Sequence, residues 1–131
     1  MSTLEEPVMC FGVGGERWTF GRWIVGGTKV ELAHIDAPAV DGLMLETRSP
    51  LVWGEREVLS CGGQSVPTVP VEVQLATMVA REQQDRLAAT LRAIAPAGLD
   101  LSLLRRAISD KRVEVPDLTV PEALDRLLTG R

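Results

Sequence analysis

Two adjacent glycines, Gly26-Gly27, constrain the first third of the chain more than any other feature. They separate two β-forming runs, Glu16 to Val25 and Thr28 to Asp36, by the two residues that a tight hairpin needs. Such a turn requires positive φ at both central positions, which glycine adopts without steric cost. Counting outward from the turn puts opposite charges across from each other twice and aromatic residues across from aliphatic ones. The predicted register comprises four pairs: Trp23–Val30, Arg22–Glu31, Phe20–Ala33 and Arg17–Asp36.

A second glycine pair, Gly62-Gly63, predicts a second hairpin in the same way. It separates Glu55–Cys61 from Gln64–Val69 and puts Leu59 opposite Val66. Proline has no N–H to donate to a ladder, so Pro67 in the second run predicts a short or edge hairpin.

Two glycine- or proline-containing segments of the first half are expected to be irregular. The residues from Ala37 to Pro50 predict a connecting loop with at most one short strand. Gly12 to Gly15 is followed by a strand-like run and by no Lys-Ser or Lys-Thr, so it does not fit a phosphate-binding loop. We therefore expect it to be a flexible lead-in to the sheet.

After Pro70 the composition changes from glycine and β-formers to Ala, Leu, Arg and Glu. Apolar residues recur at helical spacing from Val71 to Ile94, from Leu101 to Ile108 and from Val120 to Leu128. The polar run Arg81 to Arg86 is either a solvated turn of one long helix or a break between two.

Two helix starts carry capping residues. Asp100 precedes the helical pattern that begins at Leu101 and is a good N-cap. Thr119-Val120-Pro121-Glu122 matches the Thr-x-x-Glu capping box, in which the first and fourth residues satisfy each other's free amides.

Strands followed by helices predict an α+β fold: antiparallel hairpins in a small mixed or antiparallel sheet, with three to four C-terminal helices packed on it. A length of 131 residues fits a single domain over 1–131, with a β-rich half at 1–69 and a helical half at 70–131. The tryptophans Trp18, Trp23 and Trp53 all precede Pro70 and are expected in the sheet core.

Composition excludes several classes of function. The net charge of −4 gives no direct signal for DNA binding, because phosphate binding depends on an excess of Lys and Arg. No apolar run approaches the length that spans a bilayer, and Met1 to Pro7 has no basic segment of a signal peptide, so we expect a cytoplasmic protein without membrane association.

Glu31 is the first candidate site residue. It lies in the middle of a predicted strand, where a carboxylate on a rigid element can bind a divalent cation. The structural alternative is an ion pair with Arg22, which the register places directly opposite.

The run from Val66 to Arg81, with a hydrophobic-Pro-hydrophobic-Glu phrase opening a helix that ends in arginine, resembles the region after the catalytic sheet in bacterial nucleotidyltransferase-fold proteins. The similarity is to the branch of abortive-infection toxins and minimal nucleotidyltransferases, and it covers roughly Trp18 to Leu91. Gln84-Asp85-Arg86 corresponds to the charged cluster that follows this helix. Lys29-Val30-Glu31-Leu32 looks like the strand that supplies the family's third metal-binding carboxylate.

The resemblance implies Glu31 as a Mg²⁺ ligand, and Arg22, Arg81 and Arg86 as supports for phosphate or for the structure. The chain departs from the family in lacking the Gly-Ser turn and the Asp-x-Asp motif, and one carboxylate is not enough for two-metal chemistry. Thr77 also stands where toxin-branch relatives often place a lysine for the triphosphate.

The resemblance therefore implies an incomplete nucleotidyltransferase-like domain. It would be inactive alone and would transfer a nucleotidyl group from a nucleoside triphosphate only with a missing acidic motif supplied; a toxin–antitoxin context belongs to the same resemblance. The alternative function is a non-catalytic interaction domain that binds a protein partner, or forms a homo-oligomer, through an open sheet edge.

Overall fold

The computed structural model of the chain describes residues 2–13, 15–37, 45 and 49–130. Contacts between residues group the chain into two compact units, Met1–Ala39 and Val40–Arg131. We call these the β-meander unit and the helical unit and describe each by itself. The composition change at Pro70 falls inside the helical unit.

The elements follow an α+β order, with strands first and most of the helices after them, as predicted. In chain order they are β1 (Ser2–Val13), β2 (Glu16–Val25), β3 (Thr28–Asp36), α1 (Pro50–Glu55), β4 (Glu57–Cys61), β5 (Gln64–Thr68), α2 (Val71–Ala80), α3 (Gln84–Ala93), a short 3₁₀ turn (Pro96–Gly98), α4 (Leu101–Glu114) and α5 (Glu122–Thr129).

The β-meander unit is an antiparallel sheet in the order β1-β2-β3. The hairpin of β2 and β3 has the predicted register in all four pairs. Gly26 and Gly27 adopt φ of 55° and 80°, the left-handed values that this turn needs. The two glycines therefore determine which residues of the hairpin share a face.

The strand β1 replaces the flexible lead-in expected before the sheet. Gly12 and Val13 end this strand, and Gly15 forms the turn into β2 with a φ of 83°; Gly14 lies outside the described residues. The pairing of β1 with β2 shifts register on both sides of Glu6, next to Pro7. These irregularities break the alternation of apolar and polar residues on which a sequence prediction of a strand depends.

The second hairpin, β4–β5, also has the predicted register, with Leu59 opposite Val66. Its first strand begins at Glu57 rather than Glu55, because Glu55 ends the helix α1. Most of the loop predicted between Ala37 and Pro50 lies outside the described residues, but Pro50 itself starts α1.

Helix α1 was not predicted. Its N-cap is Ser49, whose Oγ accepts a hydrogen bond from the amide of Leu51, and Pro50 occupies the first helical position, where its missing N–H costs nothing. Trp53 lies in this helix and is exposed, so the expectation that it belongs to the sheet core is wrong.

Helices α2 and α3 are separate, so the polar run at 81–86 contains a break. Helix α4 begins at the predicted cap, with the Oδ1 of Asp100 accepting from the amides of Ser102 and Leu103. The predicted capping box before α5 does not form. The helix starts at Glu122 with Pro121 as N-cap, too late for Glu122 to reach back as the fourth residue of the box.

The hydrophobic core of the helical unit is built around α2, which packs against α3 and α4. Glu72 is buried beside this core; its Oε1 accepts a hydrogen bond of 2.8 Å from the amide of Asp100, and its Oε2 has no hydrogen-bond partner among the residues that the structure describes. The buried apolar residues are Leu45, Val52, Val73, Leu75, Ala76, Met78, Val79, Leu87, Leu104, Ala107, Ile108 and Leu124.

No helix in the described part of the chain combines the length and the apolar character needed to cross a bilayer.

Candidate functional site

A groove of about 430 Å³ lies in the helical unit, between the segment that leads from β5 into α2 and the connection from α2 to α3. We call it the basic groove, because two of its lining residues are arginines and none is acidic. The lining residues are Pro67, Thr68, Val69, Val73, Gln74, Thr77, Met78, Arg81, Gln83 and Arg86.

The end of α2 determines where Arg81 lies. The helix closes with a Schellman motif: the amide of Gln83 bonds to the carbonyl of Met78 at 2.9 Å, and the amide of Glu82 bonds to the carbonyl of Val79 at 3.1 Å. Glu82 takes the left-handed position of this motif, with φ of 55°, where glycine is the usual residue. The chain then reverses, and α3 starts at Gln84.

This reversal brings two predicted site residues together. Arg81 is the C-cap of α2 and Arg86 lies in the first turn of α3, and both line the basic groove. Both side chains are exposed, and neither makes an ion pair or a hydrogen bond with the described residues. Two free guanidinium groups on one groove attract anions, and guanidinium is well shaped for phosphate oxygens.

Two polar side chains of α2, Gln74 and Thr77, line the same groove. Gln74 donates from its Nε2 to the carbonyl of Val69 at 2.7 Å, and the Thr77 hydroxyl donates to the carbonyl of Val73 at 3.1 Å. Gln74, Thr77 and Arg81 follow one another at spacings of three and four, so they share one face of α2. The helical spacing of this polar stripe is visible in the sequence, beside the apolar stripe that predicts the helix.

The other two predicted site residues, Arg22 and Glu31, lie opposite each other in the β-meander unit. The Nε of Arg22 is 2.8 Å from the Oε1 of Glu31, and the guanidinium carbon of Arg22 lies 5.7 Å from the centre of the Phe20 ring. The ion pair corresponds to the structural alternative for Glu31. The four predicted site residues therefore lie in two places. Arg22 and Glu31 form an ion pair in the β-meander unit, and Arg81 and Arg86 line one groove in the helical unit.

The described residues do not by themselves fit a magnesium site at Glu31. One oxygen of its carboxylate is engaged by Arg22, and no group of three His, Cys, Asp or Glu side chains suited to a metal ion occurs among the residues at 2–13, 15–37, 45 and 49–130. The role of Glu31 as a metal ligand remains a prediction from the family resemblance.

The basic groove is therefore the candidate site of the helical unit, a surface that carries positive charge at its rim and fixed amide and hydroxyl groups along α2. Comparisons with models of protein families, with curated proteins and with solved structures find nothing that matches this chain.

Proposed function

We propose that this chain is an incomplete nucleotidyltransferase-like domain whose basic groove binds the phosphates of a nucleoside triphosphate. The observation that carries the proposal is that Arg81 and Arg86 line one groove, and that the described residues supply neither an ion-pair partner for them nor an acidic side chain in its lining. The resemblance of the run from Val66 to Arg81 to the corresponding family region gives the nucleotide as the ligand class.

The chemistry available to the chain alone is binding. The side chains of Arg81 and Arg86 would neutralise phosphate charge, with the polar face of α2 beside them. Transfer of the nucleotidyl group to a hydroxyl acceptor requires the acidic motif that the sequence lacks, supplied by another chain or segment. Because the sequence lacks that motif, the domain alone is proposed to be inactive, and Glu31 stays a Mg²⁺ ligand implied by the family resemblance.

Isothermal titration calorimetry with ATP and GTP, with and without Mg²⁺, tests this proposal. Arg81→Gln combined with Arg86→Gln is expected to weaken binding at least about tenfold, because each guanidinium contributes a charge-assisted hydrogen bond. Arg92→Gln is the control for each of the two single substitutions: it removes one positive charge from the exposed end of α3, and Arg92 does not line the groove. Adenosine without phosphates is expected to give no binding heat.

Equal affinity in the double variant and the Arg92→Gln control would contradict the assignment of the groove, and no heat from the wild type would contradict nucleotide binding itself. A titration with MgCl₂ alone, comparing the wild type with Glu31→Ala, tests the metal role separately. Heat that the wild type gives and Glu31→Ala lacks would support Glu31 as a ligand.

The second candidate function is a protein-interaction or oligomerisation domain. The observation that favours it is the β4–β5 hairpin, in which every residue from Glu57 to Pro67 is exposed and the apolar side chains of Val58, Leu59 and Val66 face solvent.

A further inference from the structure

The β4–β5 hairpin carries apolar side chains of the kind that sheets bury, but here these side chains are exposed. Val58 is 62% exposed and Leu59 is 50% exposed, although the two side chains point to opposite faces of the same strand. Among the described residues, β4 pairs with β5 alone. Because an isolated two-stranded hairpin is marginally stable in water, this one gains from further pairing.

The two edges of the hairpin differ in the outward-pointing backbone amides and carbonyls that they present. In a two-residue hairpin the residues that flank the turn exchange hydrogen bonds, and bonded pairs then alternate with open ones. Cys61, Leu59 and Glu57 therefore bond to β5, whereas the amides and carbonyls of Val58 and Ser60 point to the outer edge of β4. On β5 the outward residues are Ser65 and Pro67, and Pro67 has no N–H.

We infer that β4 pairs antiparallel with β4 of a second copy of this chain, about a two-fold axis that passes through Leu59. Val58 of one copy then lies opposite Ser60 of the other, and their outward amides and carbonyls satisfy each other in both directions. Leu59 meets Leu59 of the second copy at a non-bonded position, where the side chains approach most closely. The result is a four-stranded sheet.

Charge and shape favour a second copy as the occupant. In this register Glu57 lies opposite Cys61 of the other copy, so no like charges face each other across the new pair. Leu59 and Val66 of both copies form one continuous apolar row on the sheet. The missing N–H of Pro67 leaves the outer edges unsuited to further strands, so the assembly closes at two copies.

This inference rests on the interaction-domain candidate and is independent of nucleotide binding. Two five-residue strands make a small contact, so we expect dimerisation that depends on protein concentration rather than an obligate dimer. Its failure is separable from that of the nucleotide proposal, because the tests below contain no nucleotide and leave the basic groove unchanged.

Sedimentation velocity up to about 1 mM protein is the first test, since a contact of this size is expected to be weak. Ser60→Pro removes one outward N–H of β4 and should abolish the dimer, whereas Ser65→Pro removes the outward N–H of β5 and should leave it. Circular dichroism checks that both variants fold. Wild-type protein that stays monomeric would overturn the inference and leave this edge to a strand of another protein.

Substitutions of Leu59 test the axis and avoid proline. Leu59→Lys and Leu59→Glu should each be monomeric, because like charges meet at the axis, and mixing the two should restore a dimer. Gln64→Lys is the control: it puts the same charge on the same face of the exposed strand β5, outside the proposed contact, and should leave the dimer intact. A Leu59→Cys chain with Cys10→Ser and Cys61→Ser should form a disulfide with its copy under mild oxidation. Failure of the charged pair to associate on mixing would overturn the proposed axis.

Discussion

Every buried apolar side chain of the described residues belongs to the helical unit, whereas the three strands of the β-meander unit contribute none. The helical unit is held by a packed core around α2. The β-meander unit depends on its ladder hydrogen bonds, on glycine turns and on contacts between neighbouring strands, such as the stacked rings of Phe11 and Trp18 with centres 6.2 Å apart. The two units should therefore respond differently to the same kind of substitution.

Truncation of a leucine gives the largest expected contrast. Leu104 of α4 is fully buried, so Leu104→Ala should lower the free energy of unfolding by about 2–5 kcal/mol through lost burial and a cavity. Leu32 of β3 is 61% exposed, so Leu32→Ala should cost under about 1 kcal/mol. Urea unfolding of both variants measures the difference, and similar losses would contradict the contrast.

Glu72 tests the polar part of the helical core. Glu72→Ala removes the acceptor of the Asp100 amide and leaves that N–H unpaired, which should cost about 1–3 kcal/mol. Glu72→Gln keeps an oxygen for the same hydrogen bond and should cost less. The comparison is made by urea unfolding; an equal loss in the two variants would show that the hydrogen bond to Asp100 does not account for the cost.

Gly21 tests the packing of the β-meander unit, in which an aromatic side chain packs on the backbone of its own strand. The ring of Trp23 lies over Gly21, so a Cβ at this position would clash with it. Gly21→Ala should displace the ring and cost about 1–3 kcal/mol, as overpacking does elsewhere. Because the clash needs the ring, the cost should fall in the Trp23→Ala background. An equal cost in both backgrounds, measured by thermal unfolding, would locate the effect in the backbone instead.

Substitution of Glu82 by glycine is expected to give the smallest change in stability, and this change is a gain rather than a loss. Glu82→Gly should raise the free energy of unfolding by up to about 1 kcal/mol, because glycine adopts the left-handed conformation without the Cβ clash. The Glu82→Ala variant keeps the Cβ and should show no such gain. Thermal unfolding of the pair checks the difference, and a gain in the alanine variant would point to the loss of charge as its cause.

Local turn chemistry explains which parts of the fold follow from the sequence. The glycine pairs leave a single sterically easy turn, so both hairpin registers were predictable to the residue. The strand β1 was not, because Pro7 and two register shifts interrupt its alternation. The start of α5 was misplaced because Thr119 and Glu122 have the spacing of a capping box, which describes side chains and not where the helix begins.

The sequence pattern also could not predict that the two arginines of the basic groove lie together. In one continuous helix, Arg81 and Arg86 would be five residues apart and would point about 140° away from each other. The break at Glu82 turns both toward one groove, and glutamate at that position gives no stop signal of the kind that glycine would give. Glu31 and Arg22, in contrast, were correctly paired, because a strand register fixes its neighbours directly.

The distribution of the three tryptophans has a practical consequence. Trp18 and Trp23 are in the β-meander unit, and Trp53, on the exposed surface of α1, is in the helical unit. A Trp53→Phe chain therefore emits ultraviolet fluorescence from the β-meander unit alone, and a chain with phenylalanine at 18 and 23 emits from the helical unit alone. Each of the two units therefore carries its own optical reporter, so the unfolding of either unit can be followed without labelling.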